Sequence, residues 1–259
     1  MMCACALGLL LLGAAEECAA AGANDYNPYM QQKLPNLRQP TPEGKQFLRS
    51  IGAHETSLEN EAAFRADWKS EVYPVVFGQK TARGEVLVLL DFASPESENV
   101  WQAVVGASRS MQAASAKIVV FGNSKEHFGT DLLGFGIWVA ASRPGQAMDY
   151  FSHALHRWNE VKKAQRAQGM NKPFTNEYDA TLTSKDMPVH YAYMRMLKPA
   201  VPAEQELTVA KYSYDAGSVN MYQTTQVAKY YQVDHLPAVV VNGRKLDKVS
   251  SAAILSALK

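Results

Sequence analysis

Two short runs of apolar residues predict the central strands of a sheet. The first strand is predicted over residues 85–92, around the apolar run 86–90, and the second over residues 117–121, around the apolar run 118–121. Unbroken apolar runs of this length are typical of strands buried on both faces. Residues 95–114 lie between them and carry apolar side chains at helical spacing, among them Trp101 and Val104. The order strand, helix, strand predicts a βαβ unit with a parallel pair of strands.

The same pattern of apolar and polar positions predicts further helices and strands on both sides of this unit. Helical spacing predicts helices over 42–51, 57–72, 130–141, 146–168, 189–197, 218–233 and 249–258. Strands are predicted over 207–214 and 238–241, and Asn242-Gly243 is a hairpin signal directly after the second of them. Residues 24–42 are rich in Asn, Gln, Pro and Tyr, which favours an extended arm.

Residues 1–23 have the pattern of an export signal. An apolar run over 6–12 is followed by small residues that end at Ala23, as before a signal-peptidase cleavage site. Glu16 and Glu17 interrupt the apolar stretch, and a membrane span needs about 18 apolar residues. We therefore expect cleavage before Asn24, a periplasmic location and no stable membrane span in the mature protein.

The position of the cysteines follows from this expectation. The chain has three, Cys3, Cys5 and Cys18, and all of them lie within residues 1–23. Cleavage before Asn24 leaves a mature protein without a thiol. The alternative is earlier cleavage with a lipid anchor on Cys18, which the charges of Glu16 and Glu17 directly before it disfavour.

Composition and net charge limit the classes of molecule that this protein is expected to bind. The 259 residues are 47% hydrophobic, enough for one well-buried domain with sizeable additions or for two small domains. The formal net charge is only +1, so no global field attracts nucleic acid or an anionic membrane. The expected partner is a protein or peptide of the cell envelope. The sequence predicts neither its identity nor the oligomeric state.

Two motifs carry a resemblance to a known family. Phe92-Ala93-Ser94-Pro95-Glu96-Ser97 follows the first strand, and Leu236-Pro237 precedes the segment that ends in Asn242-Gly243. Together they resemble the Phe-x-Cys-Pro-His-Cys and Val-Pro-x-x-x-Val-Asn-Gly segments of the DsbA-like branch of the thioredoxin superfamily. The resemblance covers 85–259 and implies an α/β, thioredoxin-like fold with a helical insertion at about 130–205. Residues 24–84 then form an N-terminal arm and helical extension.

The resemblance also implies that the two cysteines of the family's motif are missing from this chain. Serines stand at both cysteine positions, and a hydroxyl cannot perform thiol–disulfide exchange. No catalytic residue, metal site or cofactor is carried over. We expect Ser94 to be the N-cap of the following helix, with Pro95 as its first residue. The alternative is that Ser94 is a nucleophile activated by Glu96 or a histidine. The resemblance further implies that Pro237 is cis and faces Ser94.

Other candidate residues have plainer interpretations. His153, His156 and Glu160 have the spacing of a possible metal site, but their charged neighbours favour an exposed helix face. His235 is of interest because it precedes Leu236-Pro237. The Gly134-Phe135-Gly136 segment is too short for a dinucleotide-binding motif. We interpret its glycines as residues that allow two helices to pack closely.

The resulting functional hypothesis is a redox-inactive periplasmic protein that acts by binding or assembly. Its groove is predicted to comprise Ser94, Pro95, Glu96, Ser97, His235, Leu236 and Pro237. One alternative is a chaperone-like peptide binder. Another is a component of a secretion or conjugation apparatus, because the Ser-Pro-Glu segment is loosely similar to that of TrbC-type pilus-assembly proteins. A third is an enzyme with unrecognised non-thiol chemistry.

Overall fold

A computed structural model gives the fold of most of the chain. It describes residues 26–27, 32–33, 41–53, 73, 75–79, 81–92, 94–111, 116–123, 128–167, 169 and 189–259. The predicted signal sequence with Cys3, Cys5 and Cys18, and the helix predicted over 57–72, lie outside the described residues.

From residue 84 onward the elements follow the predicted order except over 207–214, and the strand at 75–77 was not predicted. The first part of the chain contains β1 (Tyr26–Asn27), β2 (Gln32–Lys33), α1 (Pro42–Ser50), β3 (Val75–Phe77), β4 (Gly84–Asp91), α2 (Glu96–Ser108) and β5 (Ala116–Asn123). The second part contains α3 (Phe128–Ser142), α4 (Pro144–Ala167), α5 (Val189–Met196), α6 (Ala203–Tyr230), β6 (Ala238–Val241), β7 (Arg244–Lys245) and α7 (Ser251–Ala257).

The main sheet has five strands in the order β3-β5-β4-β6-β7. β4 and β5 are parallel, and Leu87 pairs with Val119. Every other neighbouring pair is antiparallel, including β4 with β6, where Leu89 pairs with Ala238. The predicted α/β class, the βαβ unit and the final strand-turn-strand module are therefore confirmed. The helical insertion is present as α3, α4 and α5.

Each face of the sheet buries its own set of side chains, because side chains alternate along a strand. On one face, Val86, Val88 and Leu90 of β4 pack in the larger cluster together with α2 and α7. On the other face, Leu87 and Leu89 pack against the C-terminal half of α6 in a second cluster. β4 is fully buried along its length, as its apolar run predicts.

The strand predicted over 207–214 is wrong, because these residues belong to the 28-residue helix α6. This helix also starts well before the predicted residue 218. The buried positions Val209, Ser213, Ala216 and Asn220 recur every three or four residues, which is helical spacing. Over a short segment, helical spacing of apolar residues is hard to distinguish from the alternating pattern of a strand. Here the helix is stabilised by its packing on α1, α3 and β5.

The glycines near residue 134 permit a close helix crossing, as predicted. A Cβ on Gly134 would lie 2.1 Å from the carbonyl oxygen of Ser213 in α6. A Cβ on Gly217 would lie 2.3 Å from the carbonyl oxygen of Thr130 in α3. The backbones of α3 and α6 are thus in direct contact, which anchors the inserted helices to the helix that covers the sheet.

The N-terminal extension also packs on α6. Helix α1 confirms the helix predicted from residue 42, and its N-cap Thr41 accepts a hydrogen bond from the N–H of Gly44. The rings of Phe47 and Tyr212 lie 5.2 Å apart. Before α1, where an extended arm was predicted, β1 and β2 form an antiparallel pair. Within the described part of the chain, no helix combines the length and apolar character needed to cross a membrane.

Candidate functional site

The turn between β4 and α2 is held by a buried serine. The hydroxyl of Ser97 donates to the carbonyl oxygen of Asp91 at 2.6 Å and accepts from the N–H of Asp91 at 3.0 Å. Ser97 has no exposed surface, and Asp91 is also buried. Ser97 therefore closes the turn from within and contributes no surface to the predicted groove.

Ser94 does not act as the predicted N-cap. Helix α2 starts at Glu96, its N-cap is Pro95, and no side chain caps it. The N–H of Ser94 donates to the carbonyl oxygen of Asp91 at 3.0 Å, so a tight turn occupies the position where the helix was expected to begin. The Ser94 hydroxyl donates instead to the carboxylate of Glu96. Ser94 is half-buried, whereas Pro95 and Glu96 are exposed.

The charge of Glu96 is stabilised by its neighbours. The Ser94 hydroxyl lowers the pKa of the Glu96 carboxyl, and the backbone N–H of Glu96 and the positive charge of Arg166 lower that pKa further. A carboxylate with a lowered pKa is a weak general base. The pair therefore places a negative charge at the surface of the turn.

The start of α2 is bonded to the inserted helix α4. Glu98 accepts from the side-chain amide of Asn159 at 2.6 Å and lies 2.9 Å from Nδ1 of His156. Further along, the indole N–H of Trp101 donates to the hydroxyl of Ser152 at 3.0 Å. These partners lie about fifty to sixty residues apart in the sequence, so no local pattern predicts them.

The two histidines of α4, His153 and His156, lie in different environments. His156 is exposed and lies between Glu98 and Glu160, with 3.8 Å from its Nε2 to the Glu160 carboxylate. His153 is half-buried against the ring of Tyr193, so it departs from the predicted exposed face. Burial lowers the pKa of His153, and the charges of Arg157 and His156 lower it further. Among the described residues, no group of three potential ligands could hold a metal ion.

The second motif lies at the same end of the sheet as the turn. The Leu236-Pro237 bond is cis, which confirms the prediction. Leu89 pairs with Ala238, so the antiparallel register continues to place Pro237 beside Leu90, one residue before Asp91. The Pro237 segment and the β4–α2 turn therefore adjoin the same strand end.

The residues beside Pro237 differ in exposure. His235 is exposed. Leu236 is half-buried and packs against the second cluster. A charge introduced at Leu236 would disturb the core as well as the groove, so Leu236 is an unsuitable position for testing binding alone. The accessible surface consists of Ser94, Pro95, Glu96 and His235 with part of Leu236, and we call it the turn surface.

Two polar residues beneath this end of the sheet were not predicted. The side-chain oxygen of Asn220 accepts from the N–H of Gly122 at 3.0 Å, and the hydroxyl of Thr224 donates to the carbonyl oxygen of Gly122 at 2.8 Å. The amide nitrogen of Asn220 also donates to the carbonyl oxygen of Tyr73 at 2.6 Å. Asn220 and Thr224 are fully buried and one helical turn apart in α6. Gln223, Thr225 and Gln226 beside them are also polar, so no local pattern in the sequence singles out this pair.

Comparison with known proteins gives structural neighbours and no sequence relatives. No protein-family model matches the chain, and no curated protein matches it. The structure is similar to a thioredoxin-like oxidoreductase from Silicibacter pomeroyi DSS-3, with a TM-score of 0.47 and 14% identity over 78% of this chain and 96% of that chain.

Two further neighbours are thiol-disulfide oxidoreductases called MdbA. The protein from Corynebacterium matruchotii has a TM-score of 0.48 and 10% identity, over 84% of this chain and 98% of that chain. The protein from Actinomyces oris has a TM-score of 0.45 and 12% identity, over 71% of this chain and 84% of that chain. The two motifs of this chain predicted this kind of neighbour.

Proposed function

We propose that this protein is an exported binding or assembly component of the bacterial cell envelope. In this proposal the turn surface holds a partner polypeptide without modifying it. The observation that carries the proposal is the bonding of Ser97: its hydroxyl is buried and makes two hydrogen bonds with the backbone of Asp91. A hydroxyl engaged in this way has a structural role at a position where the resemblance would place a sulfur atom.

The residues at the turn support the proposed redox inactivity. Thiol–disulfide exchange needs a thiolate, and Ser94 and Ser97 supply only hydroxyls. The three cysteines of the chain lie within residues 1–23, which have the pattern of a cleaved signal. The mature protein then has no thiol, and its location is the periplasm.

The composition and rigidity of the turn surface suit it to bind a partner polypeptide. The turn surface combines the apolar Pro95 and part of Leu236 with the charge of Glu96 and the imidazole of His235. The bonds from Glu98 to α4 and from Ser97 to Asp91 hold the turn in one conformation. A preorganised surface of mixed polarity binds at a lower entropic cost than a mobile one.

The alternatives differ in the number of partners. A chaperone-like peptide binder would contact many unfolded polypeptides, whereas a component of a secretion or conjugation apparatus would contact one or two at fixed stoichiometry. An enzyme acting through Ser94 is the least favoured, because the carboxylate beside its hydroxyl is a weak base.

Site-specific photo-crosslinking in the native cell tests the proposal. A photoreactive amino acid replaces Glu96 in one variant and Arg109 in the other, since both residues are exposed and Arg109 lies at the opposite end of α2, about 20 Å along the helix from Glu96. We expect a crosslinked polypeptide from the Glu96 position only. One or two discrete products indicate an assembly component, and a broad smear indicates a chaperone.

Equal products from both positions, or none from Glu96 in cells that retain the folded protein, would refute binding at the turn surface. Mass spectrometry of the Glu96 product identifies the partner. The same cells, fractionated before illumination, test the periplasmic location.

A further inference from the structure

The sheet ends in a short strand whose outer edge has no neighbour among the described residues. β7 pairs only with β6, through Val241 with Arg244 and Val240 with Lys245. It follows the Asn242-Gly243 turn, where both residues have positive φ, as a two-residue hairpin requires. This edge lies beyond β6 and is separate from the turn surface.

The hydrogen-bond pattern shows which backbone groups face outward. The N–H of Leu246 donates to the carbonyl oxygen of Val239 at 2.9 Å, so the hydrogen-bonded positions of this hairpin are 244 and 246. Antiparallel pairs alternate between bonded and non-bonded positions. The N–H and carbonyl of Lys245 therefore point away from β6 and are available to a further strand.

The side chains along this edge are cationic on both faces. Lys245 pairs with Val240, which packs in the second cluster, and Arg244 pairs with Val241, which packs in the larger cluster on the opposite face. Both cations are exposed, and no carboxylate of the described residues forms an ion pair with either. Asp247 and Lys248, which follow, offset each other in charge.

A concave surface adjoins the strand. It is lined by Tyr230, Tyr231, Gln232, Gly243, Arg244 and Lys245. The Lys245 ammonium donates to the carbonyl oxygen of Gln232 at 3.3 Å, which holds the lysine beside this concavity. The ring of Tyr230 is 42% exposed and packs edge-on against Tyr231 at 4.9 Å. The edge thus offers two cations, an aromatic ring and outward backbone groups.

We propose that β7 is a docking edge for an extended acidic segment of a partner protein, which adds to the sheet as a sixth strand. The backbone of Lys245 would pair with the added strand, and acidic side chains on its two faces would lie opposite Lys245 and Arg244. Cross-strand pairs of opposite charge stabilise such pairing. A second copy of this chain is disfavoured, since its own β7 would bring like charges together. The proposal goes beyond binding at the turn surface and does not depend on it.

Titration with designed peptides tests the proposal. The probe is an acetylated hexapeptide, Thr-Val-Glu-Glu-Val-Thr, whose adjacent Glu side chains lie on opposite faces of an extended strand. Its matched controls carry Lys for both Glu residues or Pro for both Val residues. The full chain is labelled with ¹⁵N, and binding is followed by NMR shifts and by hydrogen exchange of the Lys245 amide. We expect the acidic peptide alone to bind, to protect that amide from exchange, and to bind more weakly as salt is added.

Charge-reversal variants complete the test. Lys245→Glu and Arg244→Glu should each weaken binding of the acidic peptide by about tenfold or more, because an attraction becomes a repulsion. Lys163→Glu, the same charge change at an exposed site on α4, should leave binding within about twofold. Binding that is equal for acidic and basic peptides, that leaves the Lys245 amide unprotected, or that survives both reversals would overturn the proposal, as would the absence of binding. Circular dichroism confirms that each variant is folded.

Discussion

The hydroxyl of Ser97 exchanges two hydrogen bonds with the backbone of Asp91, accepting from its N–H and donating to its carbonyl oxygen. Both residues are buried, so water cannot replace either bond. This relationship makes Ser97 a structural residue of the turn, and it provides the first prediction.

Ser97→Ala should destabilise the fold by about 1–3 kcal/mol, because it removes two hydrogen bonds to the buried backbone of Asp91. Ser94→Ala is the matched control: its hydroxyl bonds to the exposed Glu96, and the change should cost less than about 0.5 kcal/mol. Urea unfolding of both variants measures the difference. Equal urea midpoints for the two variants would show that the buried hydrogen bonds of Ser97 add nothing to the free energy of unfolding.

The pKa of Glu96 should rise towards its ordinary value in the Ser94→Ala variant, because the hydroxyl is the main cause of the lowered pKa. The lowered pKa gives the folded state a stabilising contribution that is present above the unfolded pKa and is lost as the pH falls through the folded pKa. NMR titration of the carboxyl measures the shift. Glu43 in α1, whose own backbone N–H and Thr41 lower its pKa, should titrate unchanged.

Acidification should destabilise the protein partly through His153. Its folded pKa is lowered, chiefly by burial, so the unfolded chain takes up a proton at a higher pH than the folded protein does. Stability is therefore lost as the pH falls through the ordinary histidine value, near 6.5, towards the folded pKa. His153→Gln should flatten the stability profile in this window. Thermal unfolding across the pH range compares this variant with the unchanged protein, and parallel profiles for the two proteins contradict the assignment.

Gly134→Ala should be strongly destabilising, by more than about 2 kcal/mol, since its Cβ would overlap the backbone of Ser213 and force α3 from α6. Gly145→Ala in α4 is the opposite case, because nothing lies within 4 Å of its Cβ, and it should stabilise by about 0.5–1 kcal/mol. Chemical denaturation gives both values. A neutral Gly134→Ala would mean that the two helices do not cross at this point.

The protein with Cys3, Cys5 and Cys18 replaced by Ala should not reduce insulin or oxidise a dithiol peptide, because it contains no sulfur nucleophile. Adding Ser94→Cys with Ser97→Cys should create a reducible disulfide, detected by thiol alkylation and mass spectrometry. Turnover by the cysteine-free protein contradicts redox inactivity. Two thiols that never pair contradict the alignment with a Cys-x-x-Cys motif.

Much of the fold was predictable because its signals are local. The apolar runs of β4 and β5 identify buried strands, and an amphipathic helix between two such strands implies a parallel pair. Asn242-Gly243 specifies a hairpin because both residues tolerate positive φ. The cis bond before Pro237 and the close packing at Gly134 were also expected from the sequence.

The sequence by itself determined the strands β4, β5 and β6, the helical insertion, the hairpin and the serines at the turn. Only the tertiary structure decided that residues 207–214 are helical, that α2 starts at Glu96 without a side-chain cap, and that Ser97 is buried and bonded to Asp91. It also brought Asn220 and Thr224 to Gly122 and Glu98 to Asn159. Propensity and periodicity report the preferences of a segment alone. Burial and long-range hydrogen bonds depend on the elements packed against it, and these choose between conformations of similar local free energy.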